Sequence, residues 1–432
     1  MKAALFTIGC KVNQYETEAI AEKLEVLGFQ RVDFGEKADI YVINTCTVTG
    51  ESDRSSRQAI YRARRRSPDA RIVVTGCYAQ LDKEFLESLP GVSLVVKQED
   101  KGKLPRLIAE MMAQEAKVTE TDDPFFGFSV KGLAKHTRAL VKIQDGCEKN
   151  CAYCVVPLAR GRERSREASQ IISEINDMVE NGYKEVVLTG VHVGRYKRDG
   201  LGLVELSRQI LEQTKIERIR YSSIDPKEFS DDLVDLISKS DRICRHLHIP
   251  LQSGDDVILS RMKRDYTPEE YRELANKIDD SIPDVMIGAD VIVGFPGETD
   301  EQFENTCKLV KSSPINYLHV FSYSDRKGTI ASSMPDKIDP QVIHKRSEIL
   351  HDLGKVKWRS YINRFLGKEL NVLVENRRDR KTGNLIGLSD NYIRVLLDGD
   401  DSLRNRIVSV HIIDRHENKL LGEAIASGRG DS

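Results

Sequence analysis

No stretch of this sequence approaches the roughly 18 consecutive apolar residues that span a bilayer, so a helical membrane protein is not expected. The opening segment "MKAALFTIGCKVNQYE" has an apolar run too short for a signal peptide, which points to the cytoplasm. A strong charge of either sign is also missing. With 66 Lys and Arg against 68 Asp and Glu, any nucleic-acid partner must be met by local basic patches. Nor is there a nucleotide-hydrolysing loop: the Gly-rich "GFPGE" lacks the Lys and Ser/Thr of a P-loop and the spacing of GxGxxG. What is present is cysteine. Eight of them in a reducing compartment are better explained as metal ligands or reactive thiols than as a disulfide framework.

A chain of 432 residues is long enough for two or three domains. Its first part alternates strand-like runs ("AALFTIG", "IYVINT", "RIVVTG", "VSLVV") with helical patterns, the mark of an open parallel α/β domain. The first helix is expected after "CKVNQYE", with Asn13 and Glu16 at capping-box spacing and Gly28 at its end. Cys10, Cys46 and Cys77 each follow a separate strand by one to three residues. The carboxyl ends of parallel strands converge on one crevice, so the fold would gather these thiols, although a single cysteine there could be merely a small hydrophobe.

The domains expected are 1–115, a linker over 116–137 lacking periodicity, a second α/β unit over 138–362, and a small all-β module over 363–432. About six βα units, from "RALVKIQ" to "NYLHVFSY", suggest a partial (β/α)6 barrel with its chemistry at the strands' carboxyl ends. A charged helix near 340–362 leads into the β module, of a type often used to hold single-stranded RNA. Cys244 and Cys307 are taken as structural.

The segment "QDGCEKNCAYCVVP" sets Cys147, Cys151 and Cys154 in a CxxxCxxC pattern just past the first barrel strand. Zinc and iron–sulfur are the live readings. A structural zinc site would want a fourth Cys or His close by, and none occurs in the thirty residues that follow. His192 in "TGVHVG" is the nearest, and only a barrel loop could deliver it. Three thiolates on a four-iron cube leave one iron free to take a substrate or cofactor.

This pattern, with Tyr153 immediately before the last Cys, resembles the radical S-adenosylmethionine (SAM) superfamily. With the Cys10, Cys46, Cys77 domain ahead of it and the β module (TRAM) behind, nearly the whole chain resembles the methylthiotransferases. "PLQSGDDVILSRMKRDYT" and "GADVIVGFPGET" are also similar to that family, and "GCKVNQYE" resembles its branch acting on threonylcarbamoyladenosine in tRNA. The resemblance implies two [4Fe–4S] clusters, one on Cys147, Cys151 and Cys154 with SAM on its open iron, and an auxiliary one on Cys10, Cys46 and Cys77. It further implies that Tyr153, Gly190, Gln252, Ser253, Asp290 and Gly294 hold SAM. One SAM would methylate the sulfur to be donated; another would give the radical that removes hydrogen from an unactivated adenine carbon.

The implied partners are tRNA and an electron donor of the reduced flavodoxin or ferredoxin type, with the sulfur source unidentified. Two basic stretches offer RNA contacts, "RSSRQAIYRARRRSPDAR" and "ENRRDRKTGN"; the second supplies Arg377, Arg378, Arg380 and Lys381. The alternatives are a methylthiotransferase for isopentenyladenosine in tRNA or for a ribosomal-protein aspartate. A non-catalytic iron–sulfur RNA-binding protein is a further one.

Overall fold

A computed structural model describes residues 1–112 and 137–425. The expected linker therefore lies, save for Thr137, outside the described residues. Strands β1 (Lys2–Thr7), β2 (Gln30–Val32), β3 (Ile40–Thr45), β4 (Arg71–Gly76) and β5 (Val92–Val95) form one sheet in the order β2-β1-β3-β4-β5. Every pairing in it is parallel. The central β3, "IYVINT", is buried along its whole length, as a strand covered on both faces must be. Helices α1 (Lys11–Val26), α2 (Gly50–Arg66), α3 (Cys77–Leu81), α4 (Lys83–Ser88) and α5 (Leu104–Met111) complete the unit. The three-residue edge strand β2 was not anticipated.

The capping-box expectation at Asn13 is wrong. Helix α1 starts at Lys11 with Cys10 as its N-cap, and Asn13 and Glu16 are buried within it. Their polar groups serve tertiary contacts instead: the Asn13 amide donates to the carbonyls of Ile8 (2.8 Å) and Thr45 (3.0 Å), tying the helix to the ends of β1 and β3. Gly28 does follow the helix end, at φ +84°.

The second unit opens with β6 (Arg138–Lys142) and a short hairpin of β7 (Gln144–Asp145) and β8 (Arg164–Ser165). Then come β9 (Glu185–Thr189), β10 (Arg218–Tyr221), β11 (His246–His248), β12 (Met286–Val293) and β13 (Tyr317–Ser322). Two parallel sheets, β10-β9-β6 and β11-β12-β13, join through bridges at Ile219/Ile243 and Ser223/His248. Six strands thus make an arc, a partial barrel left open between β6 and β13. The short α6 (Val156–Arg160) packs against α3 of the first unit, while the outer layer of the arc is built from α7 (Ala168–Glu180), α8 (Leu203–Gln213), α9 (Asp231–Lys239), α10 (Asp256–Arg261), α11 (Pro268–Ser281) and α12 (Asp300–Ser312). Ala139, Val141, Val186, Leu188, Ile287, Ala289, Val291 and Leu318 face those helices and form the main core.

The concave face is filled differently on its two sides. On β6 and β9, Leu140 and Val187 pack with Tyr15, Ala19 and Ile20 of α1, so a helix of the first unit occupies the open side of the arc. The β11–β13 side, with His248, Asp290, His319 and Phe321, is left free of it. Helix α13 (Pro340–Asn363) then leads to β14 (Glu369–Arg378), β15 (Leu385–Ser389), β16 (Arg394–Asp398), β17 (Ile407–His416) and β18 (Lys419–Ala424). These five strands close into a barrel in the order β14-β15-β16-β18-β17. It sits against the bottom of the arc: Arg218 donates to the carbonyls of Leu388 and Asn371, and Arg220 to those of Ser389 and Asp390.

Candidate functional site

The six cysteines singled out in the sequence form two groups. Cys10, Cys46 and Cys77 follow β1, β3 and β4, which lie side by side in the sheet; the charge of Cys10 reaches Cys46, and those of Cys10 and Cys46 reach Cys77. The chain reaches Cys10 through Gly9 at φ +99°, a backbone state that L side chains rarely adopt. A Cβ at Gly9 would also lie 2.7 Å from the Cys46 sulfur, so the glycine makes room for the group of thiols.

Cys147, Cys151 and Cys154 lie in the loop between β7 and α6, which is pinned where Ala152 donates to the Met262 carbonyl (2.9 Å) and accepts from the Ala331 amide (2.7 Å). The charges of Cys147 and Cys151 both reach Cys154. Burial pushes the Cys154 thiol up to about 12 and Cys77 up to about 11, so neither is a thiolate near neutrality without a cation to hold it.

Around these sulfurs stand N–H donors. Arg264 Nη1 donates to the Cys151 sulfur (3.3 Å), and Gln98 Nε2 to that of Cys77 (3.7 Å). His192, which the sequence reading set aside, is delivered by the loop after β9: its Nδ1 lies 3.8 Å from the Cys147 sulfur and its Nε2 2.6 Å from Glu228. Burial opposes its charged form, but the Cys147 sulfur and Glu228 outweigh that and raise its pKa to about 9. No pattern in the sequence reveals this contact, because 45 residues separate the partners.

A cluster of buried charges joins the two groups. Glu16 of α1 accepts from Lys101 (2.6 Å), from Lys142 of β6 (2.9 Å) and from Arg160 at the end of α6 (3.0 Å). Arg160 also meets Asp145 (3.0 Å) and donates to Asn13 Oδ1 (2.5 Å). Its charge reaches Cys77 and Cys10, although it stands six residues after Cys154. The capping-box reading had hidden this role of Asn13 and Glu16.

Tyr153, Gln252 and Asp290, three of the residues expected to hold SAM, line one cavity of about 210 Å³ with Cys154, Ile292 and Phe321. Gln252 is held at φ +65° by a bridge to β12, a strained state for a non-glycine residue and a common trait of binding sites. Gly190, Ser253 and Gly294 are not among its lining residues. Gly190 packs on Gln144, the Ser253 hydroxyl lies 3.3 Å from that of Thr306, and the Gly294 amide donates to Glu298 (2.8 Å). Asp225 caps a turn and also pairs with Lys149 (3.0 Å) and Arg264.

From that cavity a ladder of rings runs down the concave face. Asp290 hydrogen-bonds His248 (2.8 Å), whose ring meets His319 edge-on at 5.1 Å, and His319 meets Tyr317 at 5.0 Å. Their strand alternates sharply: Leu318 is buried against α13, whereas Tyr317, His319 and Phe321 are exposed. His246 stacks on Tyr392 of the β15–β16 turn at 4.1 Å, and Tyr392 lines a second cavity of about 340 Å³ with Lys11, Gln14, Arg138 and Arg377.

Of the proposed RNA-contacting residues, Arg377 pairs with Glu375 (2.8 Å), Arg378 with Asp401 (2.8 Å) and Lys381 with Glu417 (3.1 Å). Arg380 alone of the four makes no ion pair among the described residues.

The chain matches the model of the radical SAM superfamily over residues 141–310 and that of an uncharacterized protein family, UPF0004, over residues 2–97. It is 38% identical to the threonylcarbamoyladenosine tRNA methylthiotransferase MtaB of Bacillus subtilis (strain 168), covering 95% of this chain and 93% of that one. The protein of the same name from Aquifex aeolicus (strain VF5) is 40% identical over 92% and 97% of the two chains. A tRNA-2-methylthio-N(6)-dimethylallyladenosine synthase from Alkaliphilus oremlandii (strain OhILAs) is 34% identical over 98% and 93%. In fold the chain is similar to the radical SAM methyltransferase TsrM from Kitasatospora setae, solved with cobalamin and a [4Fe-4S] cluster, at a TM-score of 0.55 and 15% identity over 77% and 74% of the chains. With such identity to these relatives over nearly its full length, the chain belongs to the radical SAM methylthiotransferase family.

Proposed function

We propose that this enzyme adds a methylthio group to C2 of N6-threonylcarbamoyladenosine beside the anticodon of tRNA. The observation that carries the reading is the pair of three-cysteine groups, whose segments are tied together through Glu16 and Arg160. The branch is supported by relatives named for threonylcarbamoyladenosine at 36–40% identity, against 33–34% for those named for dimethylallyladenosine.

The donor sets fit [4Fe–4S] clusters. Each offers three thiols without a fourth, and the neighbours of the sulfurs are Arg264, His192 and Gln98, which suit anionic sulfur. Two clusters and SAM supply, when bound, the one-electron and sulfur chemistry that an adenine C–H bond requires, since that bond has no acidity for a general base. Cys147, Cys151 and Cys154 would hold one cluster, and Cys10, Cys46 and Cys77 the auxiliary one. Tyr153, Gln252 and Asp290 would bind SAM in the cavity beside Cys154, while Gly190, Ser253 and Gly294 shape the strand ends around it. Helix α1 packs over β6 and β9, and the base would enter from the β11–β13 side. Arg377, Arg378, Arg380 and Lys381 would lie along the RNA backbone.

The electron comes from a separate donor, in this reading a reduced flavodoxin or ferredoxin type, and a tRNA substrate places the enzyme in the cytoplasm. No helix of the described residues is long and apolar enough to cross a membrane.

Two experiments test the reading. Mass spectrometry of tRNA nucleosides from cells lacking the protein should show the methylthio group gone from threonylcarbamoyladenosine and retained on other adenosines. The reconstituted enzyme with Cys10, Cys46 and Cys77 changed to Ala should still form 5′-deoxyadenosine from SAM and reductant, yet transfer no sulfur. If 5′-deoxyadenosine is absent from the native enzyme too, the chain is not a radical enzyme.

A further inference from the structure

Lys11, the first residue of α1, directly follows Cys10 and points into the cavity of about 340 Å³ between α1, β6 and the C-terminal barrel. It makes no hydrogen bond or ion pair among the described residues. Its electrostatic neighbours are Cys10, Tyr392, Arg138, Arg220, His246 and His319. The cations around it are partnered otherwise: Arg220 holds Glu185 (2.7 Å), and Arg377 holds Glu375 (2.8 Å). Glu375 is the one carboxylate among the cavity's lining residues and is already faced by Arg377 (2.8 Å) and Arg138 (4.0 Å), so with Lys11 three cations share one carboxylate, an imbalance that an arriving anion would relieve. Tyr392, held at φ +68°, is aimed into the same space by a backbone state that costs free energy.

We infer that Lys11 selects the substrate by binding the carboxylate of its N6 side chain in this cavity. The inference rests on the tRNA reading above and adds the residue that would distinguish the two branches. A threonylcarbamoyl group ends in a carboxylate, whereas a dimethylallyl group is an uncharged hydrocarbon. On adenine, C2 and the N6 substituent flank N1 on one edge, so a residue that reads the substituent belongs beside the residues that present the sulfur. Lys11 is next to Cys10 in the chain and has that place. Gln14, one turn along α1 and lining the same cavity, can donate to the carbamoyl oxygen.

The test measures binding of synthetic anticodon stem-loops to the full chain with both clusters reconstituted, at fixed salt. One RNA carries N6-threonylcarbamoyladenosine, a second its methyl ester, which lacks the charge. The native enzyme should prefer the acid by roughly 10- to 100-fold, the range of a charge-assisted hydrogen bond. Lys11→Met should bind both RNAs as the native enzyme binds the ester, and Lys11→Arg should keep the preference. If Lys11→Met cannot retain iron, Lys11→Gln replaces it. Retention of the acid preference by the neutral variant overturns the inference, as does a native enzyme indifferent to the ester. An equal loss on both RNAs also overturns it and assigns Lys11 to a backbone phosphate. Methylthiolation of the acid RNA by the native enzyme is followed in parallel: its absence refutes the proposed function, whereas its presence with an unchanged preference in Lys11→Met refutes only the role of Lys11.

Discussion

Glu16 and Arg160 lie 3.0 Å apart, 4% and 2% exposed, and come from different domains. Glu16 is the one carboxylate that α1 brings to three cations, Arg160, Lys101 and Lys142. The contact therefore fixes where the Cys10 group stands relative to the Cys147 group.

Removing one partner of such a cluster strands charge in the interior. Glu16→Gln is expected to destabilise the docking of the first domain by about 3–5 kcal/mol, read as an earlier transition in denaturant unfolding. Burial would raise the Glu16 pKa, but Arg160, Lys101 and Lys142 hold it well below the ordinary carboxylate value. A depressed folded-state pKa gives stability that is fully present above the unfolded value and lost as pH falls through the folded one. The gap in melting temperature between native and Glu16→Gln proteins should thus be flat from about pH 8 to 5 and narrow only below about pH 4.5. A gap that shrinks near neutrality would show that Glu16 is not held charged.

Gly9→Ala places a methyl 2.7 Å from the Cys46 sulfur, on a backbone at φ +99°. The expected result is loss of the auxiliary cluster with the other retained. Iron and sulfide should fall by half, and 5′-deoxyadenosine formation should persist.

The exposed rings of His319 and Phe321 offer stacking faces to loop bases next to the cavity proposed for SAM. Replacing His319 with Ala should weaken binding of an anticodon stem-loop by about 1–3 kcal/mol if a base is lost from the stack, while SAM cleavage without RNA changes far less. Unchanged RNA affinity would remove this strand from the interface.

In the "ENRRDRKTGN" hairpin three of the four basic side chains are neutralised by Glu375, Asp401 and Glu417. Arg380→Ala should therefore lower the slope of log affinity against log salt by about 1, and each of the other three by less. Equal effects from all four would mean that the ion pairs open on binding.

The strands "IYVINT" and "RIVVTG" were legible to the residue, because buried parallel strands read as continuous apolar runs between turn signals. The convergence of Cys10, Cys46 and Cys77 followed from the same pattern, since strand ends in a parallel sheet share one edge. Asn13 and Glu16 were misread, because capping-box spacing is a local signal and their partners lie up to 147 residues away. His192 stood out only as the nearest candidate that a barrel loop could deliver, and Lys11 only as part of "GCKVNQYE". Whether a lone His or Lys meets a sulfur, a carboxylate or water depends on which loops the barrel closes around it.

The four carbonyl contacts that Arg218 and Arg220 make with the C-terminal barrel alter what that module is. It is a stopper as well as the proposed handle for RNA. A chain shortened after α13 would open the base of the arc to solvent, with two guanidinium groups left to the single carboxylate of Glu185. Transplanting a different β module onto this arc would require one that presents backbone oxygens at the same points, so the two have to be exchanged together.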